Sequence, residues 1–196
     1  MIAYNEWHIF PNAIDKNICK QIIDLGDDDF ESGKVGDDDK GEVAKDRRNS
    51  DVKWLANHRW LIDLLLPYID AANESAGWKY DVRCLGGLQL TRYEEGGFYG
   101  WHRDGFGDHL HAQQYGTDPN KYVRKLSFTL LLNDDYEGGK FQFASYDKTE
   151  CVISTPEMNT TGSIVIFPSV MTHSVTTVTK GTRYSLVGWF LGPPFK

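Results

Sequence analysis

Tyr99-Gly100-Trp101-His102-Arg103-Asp104 is the stretch on which the reading of this 196-residue chain turns. In an extended strand successive side chains alternate faces, so His102 and Asp104 project from one side, roughly 6–7 Å apart along the chain, and can turn into a shared pocket. An imidazole and a carboxylate in that relation are half of a metal site. A solvated strand end or turn carries the same pair, so the decision rests on what the rest of the chain sets beside it. The distant run Pro168-Ser169-Val170-Met171-Thr172-His173-Ser174-Val175 supplies a second imidazole, His173, at the opening of a strand.

Two histidines and one carboxylate make the facial set that leaves coordination positions open and marks non-haem Fe(II) oxygenases. The flanks of His173 support its place in that set. Residues 159–168 read as a turn, a short apolar strand and a proline stop, and residues 173–178 as the next strand. A further strand follows from Gly181 to Phe190. It carries Arg183 on a largely apolar segment, where an unpaired charge is costly, so Arg183 is expected to meet an anion.

At this point the residues carry a resemblance. Leu88-Gln89-Leu90-Thr91-Arg92-Tyr93, Tyr99 to Asp104, Arg124-Lys125-Leu126-Ser127-Phe128-Thr129-Leu130-Leu131-Leu132-Asn133, Glu137-Gly138-Gly139, and His173 followed ten residues on by Arg183 are similar to the 2-oxoglutarate- and Fe(II)-dependent oxygenases of the prolyl 4-hydroxylase type. The likeness covers residues 85–191 closely and the N-terminal part loosely. It implies a mainly β fold with supporting α-helices, built on a double-stranded β-helix, or jelly-roll, core. It also implies that His102, Asp104 and His173 hold the metal and that Arg183 binds the distal carboxylate of 2-oxoglutarate. Tyr93 and Ser185 match positions that add hydrogen bonds to that cosubstrate, and Trp189 matches an aromatic wall near the metal; ordinary strand packing is the plainer reading of Ser185 and Trp189. Leu131 departs from the pattern, standing where some prolyl hydroxylases have a tyrosine on the distal carboxylate. Either Arg183 suffices with other polar help, or the cosubstrate is held more weakly.

The substrate side is implied by the same likeness. Arg48, Ser50 and Trp54 are similar to the arginine, polar residue and tryptophan by which the family's substrate loop enters its core, and Arg124 stands where a family arginine meets substrate. Tyr99 and Arg103 lie beside the proposed mouth. The expected activity is hydroxylation of a prolyl residue in a peptide or protein, with Fe(II), 2-oxoglutarate and O2 as cofactors and cosubstrates, ascorbate as an optional reductant, and succinate and CO2 as coproducts. The same chemistry on another protein side chain, a free amino acid or another small molecule is the alternative, since fold and cofactor do not fix substrate. A non-catalytic binding module on an oxygenase fold is a third reading, opposed by the presence of all three ligands and Arg183. A cupin-like metal protein would bring more histidines and a glutamate.

The length suits one oxygenase domain over residues 1–196, with N-terminal helices, strands and a mobile loop to residue 84 and the jelly-roll core over 85–191. A net charge of −7 argues against a nucleic-acid or acidic-membrane binder, both of which need a basic surface, and favours neutral or basic partners. Cys19, Cys84 and Cys151 are odd in number and widely spaced, which suits reduced thiols in a cytoplasmic protein. No basic-then-apolar leader and no run of eighteen apolar residues is seen, so a soluble, unexported chain is expected.

Trp7 to Phe10 reads as a short strand, and Ile14, Ile18, Ile22 and Leu25 recur at helical spacing up to a stop at Gly26. Residues 27–51 are charged and glycine-containing, and most of that span is expected to be a solvated mobile loop whose end runs into the core. From Asn57, a possible cap, a helix carries Trp60, Leu61, Leu64, Leu65, Tyr68, Ile69 and Ala72, with Pro67 expected to kink or break it. Eight short strands then follow from Gly87, enough for a sandwich or barrel closed by helices. His109 and His111 have metal-like spacing, but glycine and proline surround them and no strand pattern fixes their geometry, so they are not assigned as ligands; His8 and His58 are weaker still.

Overall fold

The computed structural model describes residues 6–27, 29–35, 42–56, 58–106, 122–147 and 150–195. In chain order the elements are β1 (His8–Phe10), α1 (Lys16–Asp24), β2 (Glu31–Ser32), β3 (Arg48–Asn49), β4 (Asp51–Trp54), α2 (Arg59–Ser75), β5 (Cys84–Tyr93), β6 (Phe98–His102) and β7 (Val123–Leu131). Then come β8 (Glu137–Gly138), β9 (Phe141–Asp147), β10 (Glu150–Ser154), β11 (Ile164–Pro168), β12 (Thr172–Val175), β13 (Val178–Lys180) and β14 (Arg183–Gly192). A seven-stranded sheet runs β1-β11-β7-β14-β5-β4-β2, and a five-stranded sheet runs β10-β9-β12-β6-β3. Every ladder is antiparallel.

Strand periodicity gives the larger sheet two different faces. On β14, Tyr184, Leu186 and Phe190 pack with Leu88 and Leu90 of β5 and with Ile22, Leu61, Leu65 and Ile69 of the two helices. The residues between them, Arg183, Ser185, Val187 and Trp189 on β14 and Gln89, Thr91 and Tyr93 on β5, face the smaller sheet and line a cavity. Part of the space between the sheets is closed by Leu131, Phe141, Phe143, Val165, Phe167 and Val175. The cavity occupies another part.

The N-terminal segment meets its expectation in α1, which is capped by Asp15 accepting from the Asn17 amide at 2.8 Å and ends just before Gly26. Three expectations are corrected. The second helix runs unbroken through Pro67, because Pro67 and Asp63, whose carbonyl loses its donor, both lie on the exposed face where water can replace the bond. Its N-cap is His58, without a side-chain cap bond; Asn57 lies outside the described residues. The strand expected over residues 173–178 divides, since Val178 leaves the five-stranded sheet to pair with Gly138.

The loop of residues 27–51 also differs from expectation in its described parts. Val35 is buried and exchanges backbone hydrogen bonds with Glu42, β2 pairs with β4, and β3 adds to the edge of the smaller sheet beside β6. Arg48, Ser50 and Val52 are all buried, an alternation that anchors the segment where a count of apolar residues shows little to hold it. His109 and His111 fall outside the described residues. The three cysteines are free thiols, and no described helix is long and apolar enough to cross a membrane.

Candidate metal and oxo-acid site

His102 and His173 are directly opposed across the antiparallel pair β6 and β12. The ring Nδ1 of His102 lies 2.8 Å from the Gly100 carbonyl and that of His173 lies 3.0 Å from the Met171 carbonyl. A carbonyl can only accept, so each Nδ1 carries the hydrogen and each Nε2 keeps a free lone pair. Both lone pairs meet Asp104: His102 Nε2 is 3.7 Å from Oδ1 and His173 Nε2 is 3.6 Å from Oδ2. Those separations are too long for hydrogen bonds and suit donors gathered around a common point. One ligand atom from each residue lies within 4.8 Å of the others.

Asp104 reaches this point differently from the strand reading. β6 ends at His102, and Asp104 sits in the bend beyond, where its amide and that of Gly105 both donate to the Ser169 carbonyl at 3.1 Å. Burial pushes its carboxyl up, but His173, His102, Arg124 and a hydrogen bond from the Ser127 hydroxyl outweigh that effect and hold it below the usual range. Ser127 in turn bonds Ser169 at 2.9 Å. Burial, reinforced by the neighbouring His173, lowers His102 to about 3, so its imidazole stays neutral and available as a ligand.

Arg183 is 1% exposed and makes a single side-chain hydrogen bond, from Nη1 to Ser185 Oγ at 3.0 Å. Its guanidinium lies 5.4 Å from the Tyr93 ring centre, its Nε has no partner, and no described carboxylate pairs with it. A buried cation without a counter-anion is a site waiting for one, and the guanidinium fork matches a carboxylate. The Glu137-Gly138-Gly139 run is explained here. Gly139 has φ of 56°, and a Cβ there would come within 2.8 Å of the Arg183 Cδ. Leu131 is buried in the packed cluster.

These groups share one cavity of about 590 Å³. Tyr93, Ser185 and Trp189 line it, as do Tyr99, Arg48, Trp54, Arg103 and Arg124, so the structure brings every sequence-predicted site residue to it. Tyr99 stacks on His102 with centroids 3.6 Å apart, and the Arg48 guanidinium lies 4.6 Å from the other partner of the stack, the Tyr99 ring centre. Arg48 is itself bound to Ser50 Oγ and to the Lys34 carbonyl. Arg124 donates to the Asp104 carbonyl and covers Trp189 at 4.2 Å. Sequence reasoning missed Gln89, Thr91, Thr129, Trp101 and Phe106, which also line the cavity. Gln89 and Thr91 alternate with Leu88 and Leu90, which was a usable signal.

The donor set fits a divalent first-row metal with open positions, and Arg183, which pairs with no described acid, fits an oxo acid with a second carboxylate. Residues 88–191 match the family model described as the 2OG-Fe(II) oxygenase superfamily, where 2OG is 2-oxoglutarate. The chain belongs to that superfamily. Members use Fe(II), 2-oxoglutarate and O2, for which the histidine, aspartate, histidine group is the fitting iron site. Among curated relatives, a PKHD-type hydroxylase of Prochlorococcus marinus is 29% identical over 158 residues, 78% of this chain and 56% of that one. One of Hyphomonas neptunium is 39% identical over 88 residues, 44% of this chain and 37% of that protein. The matched part of the chain thus spans about half or less of these relatives.

The solved structures it resembles include a Pseudomonas putida prolyl-4-hydroxylase, with TM-score 0.70 and 19% identity over 96% of this chain and 94% of that one. A viral collagen prolyl hydroxylase from Paramecium Bursaria Chlorella virus-1, in complex with 2OG, gives a TM-score of 0.64 at 15% identity, covering 98% and 99%. A Trichoplax adhaerens prolyl hydroxylase in complex with a hypoxia inducible factor peptide fragment gives 0.63 at 15%, covering 95% and 83%. The jelly-roll core of these neighbours and the oxygenase superfamily agree with the sequence reading.

Proposed function

We propose that this oxygenase acts as a single domain that hydroxylates a prolyl residue in a peptide or protein. The observation that carries the reading is the convergence of His102, Asp104 and His173 on one point, in the same cavity as a buried guanidinium with no acid partner among the described residues. In this reading the three residues hold Fe(II) and Arg183, with Tyr93 and Ser185, receives the distal carboxylate of 2-oxoglutarate. Bound iron would couple the breakdown of 2-oxoglutarate and O2 to succinate and CO2 with insertion of the remaining oxygen atom into a prolyl C–H bond. The chain's own work is placement and exclusion of water.

The two Nδ1 contacts fix both imidazoles in the tautomer a metal requires, and Tyr99 holds the His102 ring flat against it. Trp189, under Arg124, walls the cavity. Tyr99, Arg48, Trp54, Arg103 and Arg124 contact the substrate. A peptide is favoured because Trp54, Trp101 and Phe106 are large apolar side chains 40%, 45% and 67% exposed on one cavity, and flat aromatic faces suit a proline ring in an extended chain. The peptide complex of the Trichoplax structure supports the same choice of substrate class.

The test is an assay of the Fe(II)-loaded protein with 2-oxoglutarate over proline-containing peptides and free amino acids. Succinate release and the mass of each candidate substrate are followed together. Gain of one oxygen atom on a peptide proline, with matching succinate, is expected. Stimulation by a free amino acid alone moves the reading to small-molecule hydroxylation.

A further inference from the structure

We infer that the proline-containing segment accepted at this cavity is acidic, with aspartate or glutamate close to the proline. The inference rests on the prolyl-peptide reading and narrows it. Away from the cavity the cations are for the most part ion-paired: Lys20 with Asp24, Arg59 with Asp63, Arg83 with Asp81, Arg92 with Asp51 and Lys180 with Glu137. At the cavity this pattern reverses. Lys34, Arg47, Arg48 and Arg103 all line it, and none has a carboxylate within 4 Å among the described residues.

Among the described residues, the side-chain hydrogen bonds of Arg48 and Arg103 go to neutral groups. Arg48 donates to Ser50 Oγ and the Lys34 carbonyl, and Arg103 donates through Nε to Thr172 Oγ1 at 3.0 Å. Lys34, Arg47 and Arg103 are exposed. Among the described residues the cavity has two carboxylates, Asp104, which faces the imidazoles, and Glu31. Four cations therefore stand against one available acid, in a chain whose totals are 28 acidic and 21 basic residues.

Such a concentration of charge is not a by-product of composition, since the composition runs the other way. Arginines cannot relieve their mutual repulsion by losing a proton. Gly33 shows that the backbone makes room for one of them: a Cβ there would lie 2.6 Å from the Arg48 Nε. A ligand carboxylate supplies the missing counter-charge, and a positive lip on a negative molecule concentrates the field at the cavity mouth. The net charge of −7 favours neutral or basic partners for the surface at large, and the cavity is the exception to it.

The experiment uses the Fe(II)-loaded chain and three labelled peptides of equal length with one central proline, whose neighbours are glutamate, glutamine or lysine. Hydroxylation is read by mass and binding by fluorescence polarisation. The glutamate peptide should show kcat/KM at least tenfold above the lysine peptide, with glutamine between them. The gap should narrow as salt rises, because the screening length falls from about 10 Å at 0.1 M to about 3 Å at 1 M. Arg47→Glu combined with Arg103→Glu, both at exposed positions, should reverse the order while the circular-dichroism melt is retained. Equal turnover of the three peptides, or a glutamate preference that survives the double reversal, overturns the inference and leaves prolyl hydroxylation standing. Salt-sensitive preference for the glutamate peptide without oxygen on its proline does the opposite. Failure to bind any of the three removes both.

Discussion

At one end of the space between the sheets, Phe141, Phe143 and Phe167 pack together, with Phe143 edge to face at 5.0 Å from Phe167 and 5.1 Å from Phe141. Alongside them, strands of the same two sheets hold His102, Asp104, His173 and Arg183 around a cavity of about 590 Å³. His173 belongs to both regions: its ring lies 4.8 Å from Phe167 and 4.1 Å from His102. Among its described residues the packed end has no buried polar side-chain atom left without a partner, and it supplies rigidity. The open end keeps imidazole lone pairs and a guanidinium that no described carboxylate pairs with, and it is the neighbouring aromatic packing that holds them in place. Stability and ligand binding should therefore respond to different residues.

The largest effect on folding is expected at the packed end. Phe143→Ala should lower the unfolding free energy by about 3–5 kcal/mol in urea denaturation, since a fully buried ring leaves a cavity behind. Arg183→Ala tests the opposite side of the comparison. Although as buried as Phe143, Arg183 makes one hydrogen bond and no described ion pair, so its loss should move the urea midpoint little. It should instead raise the 2-oxoglutarate requirement at least tenfold, about 1.4 kcal/mol, in succinate-release assays, with Arg183→Lys recovering part of the loss.

A smaller effect is expected where the two regions touch the substrate segment. Tyr99→Leu removes the ring stacked on His102, and aromatic pairs of this kind contribute about 0.5–1.5 kcal/mol, so a several-fold loss of metal affinity by calorimetric titration is predicted. The smallest is a control on α2. Arg59 and Asp63 form an exposed pair at 3.1 Å, so Arg59→Ala should change stability by only about 0.3–0.5 kcal/mol and leave metal and cosubstrate binding as they were.

The open end was more legible in the sequence than the N-terminal segment. His102, Asp104, His173 and Arg183 are polar groups at fixed places among strand signals, and buried charge on an apolar strand demands a partner, so their types and spacing pointed to a metal set and an anion partner, while the family resemblance supplied the 2-oxoglutarate chemistry. The long strands β5, β7 and β14 were legible for the same reason, through alternation. Residues 29–35 and 42–51 were not, because β3 and β4, which flank Ser50 and carry Arg48, pair with β6 and β5, strands far away in sequence. Pro67 misled because its cost depends on whether the face it occupies meets water. The lip cations that no described carboxylate pairs were invisible, since pairing elsewhere on the surface is a property of the folded chain.

Whether His102, Asp104 and His173 make the open end a metal site is decided by anaerobic Fe(II) titration of His173→Ala beside the wild type. The wild-type chain should take up a single Fe(II), and His173→Ala should take up none at the same concentrations while still unfolding in one cooperative step. A His173→Ala protein that binds Fe(II) with wild-type stoichiometry and affinity would contradict the account.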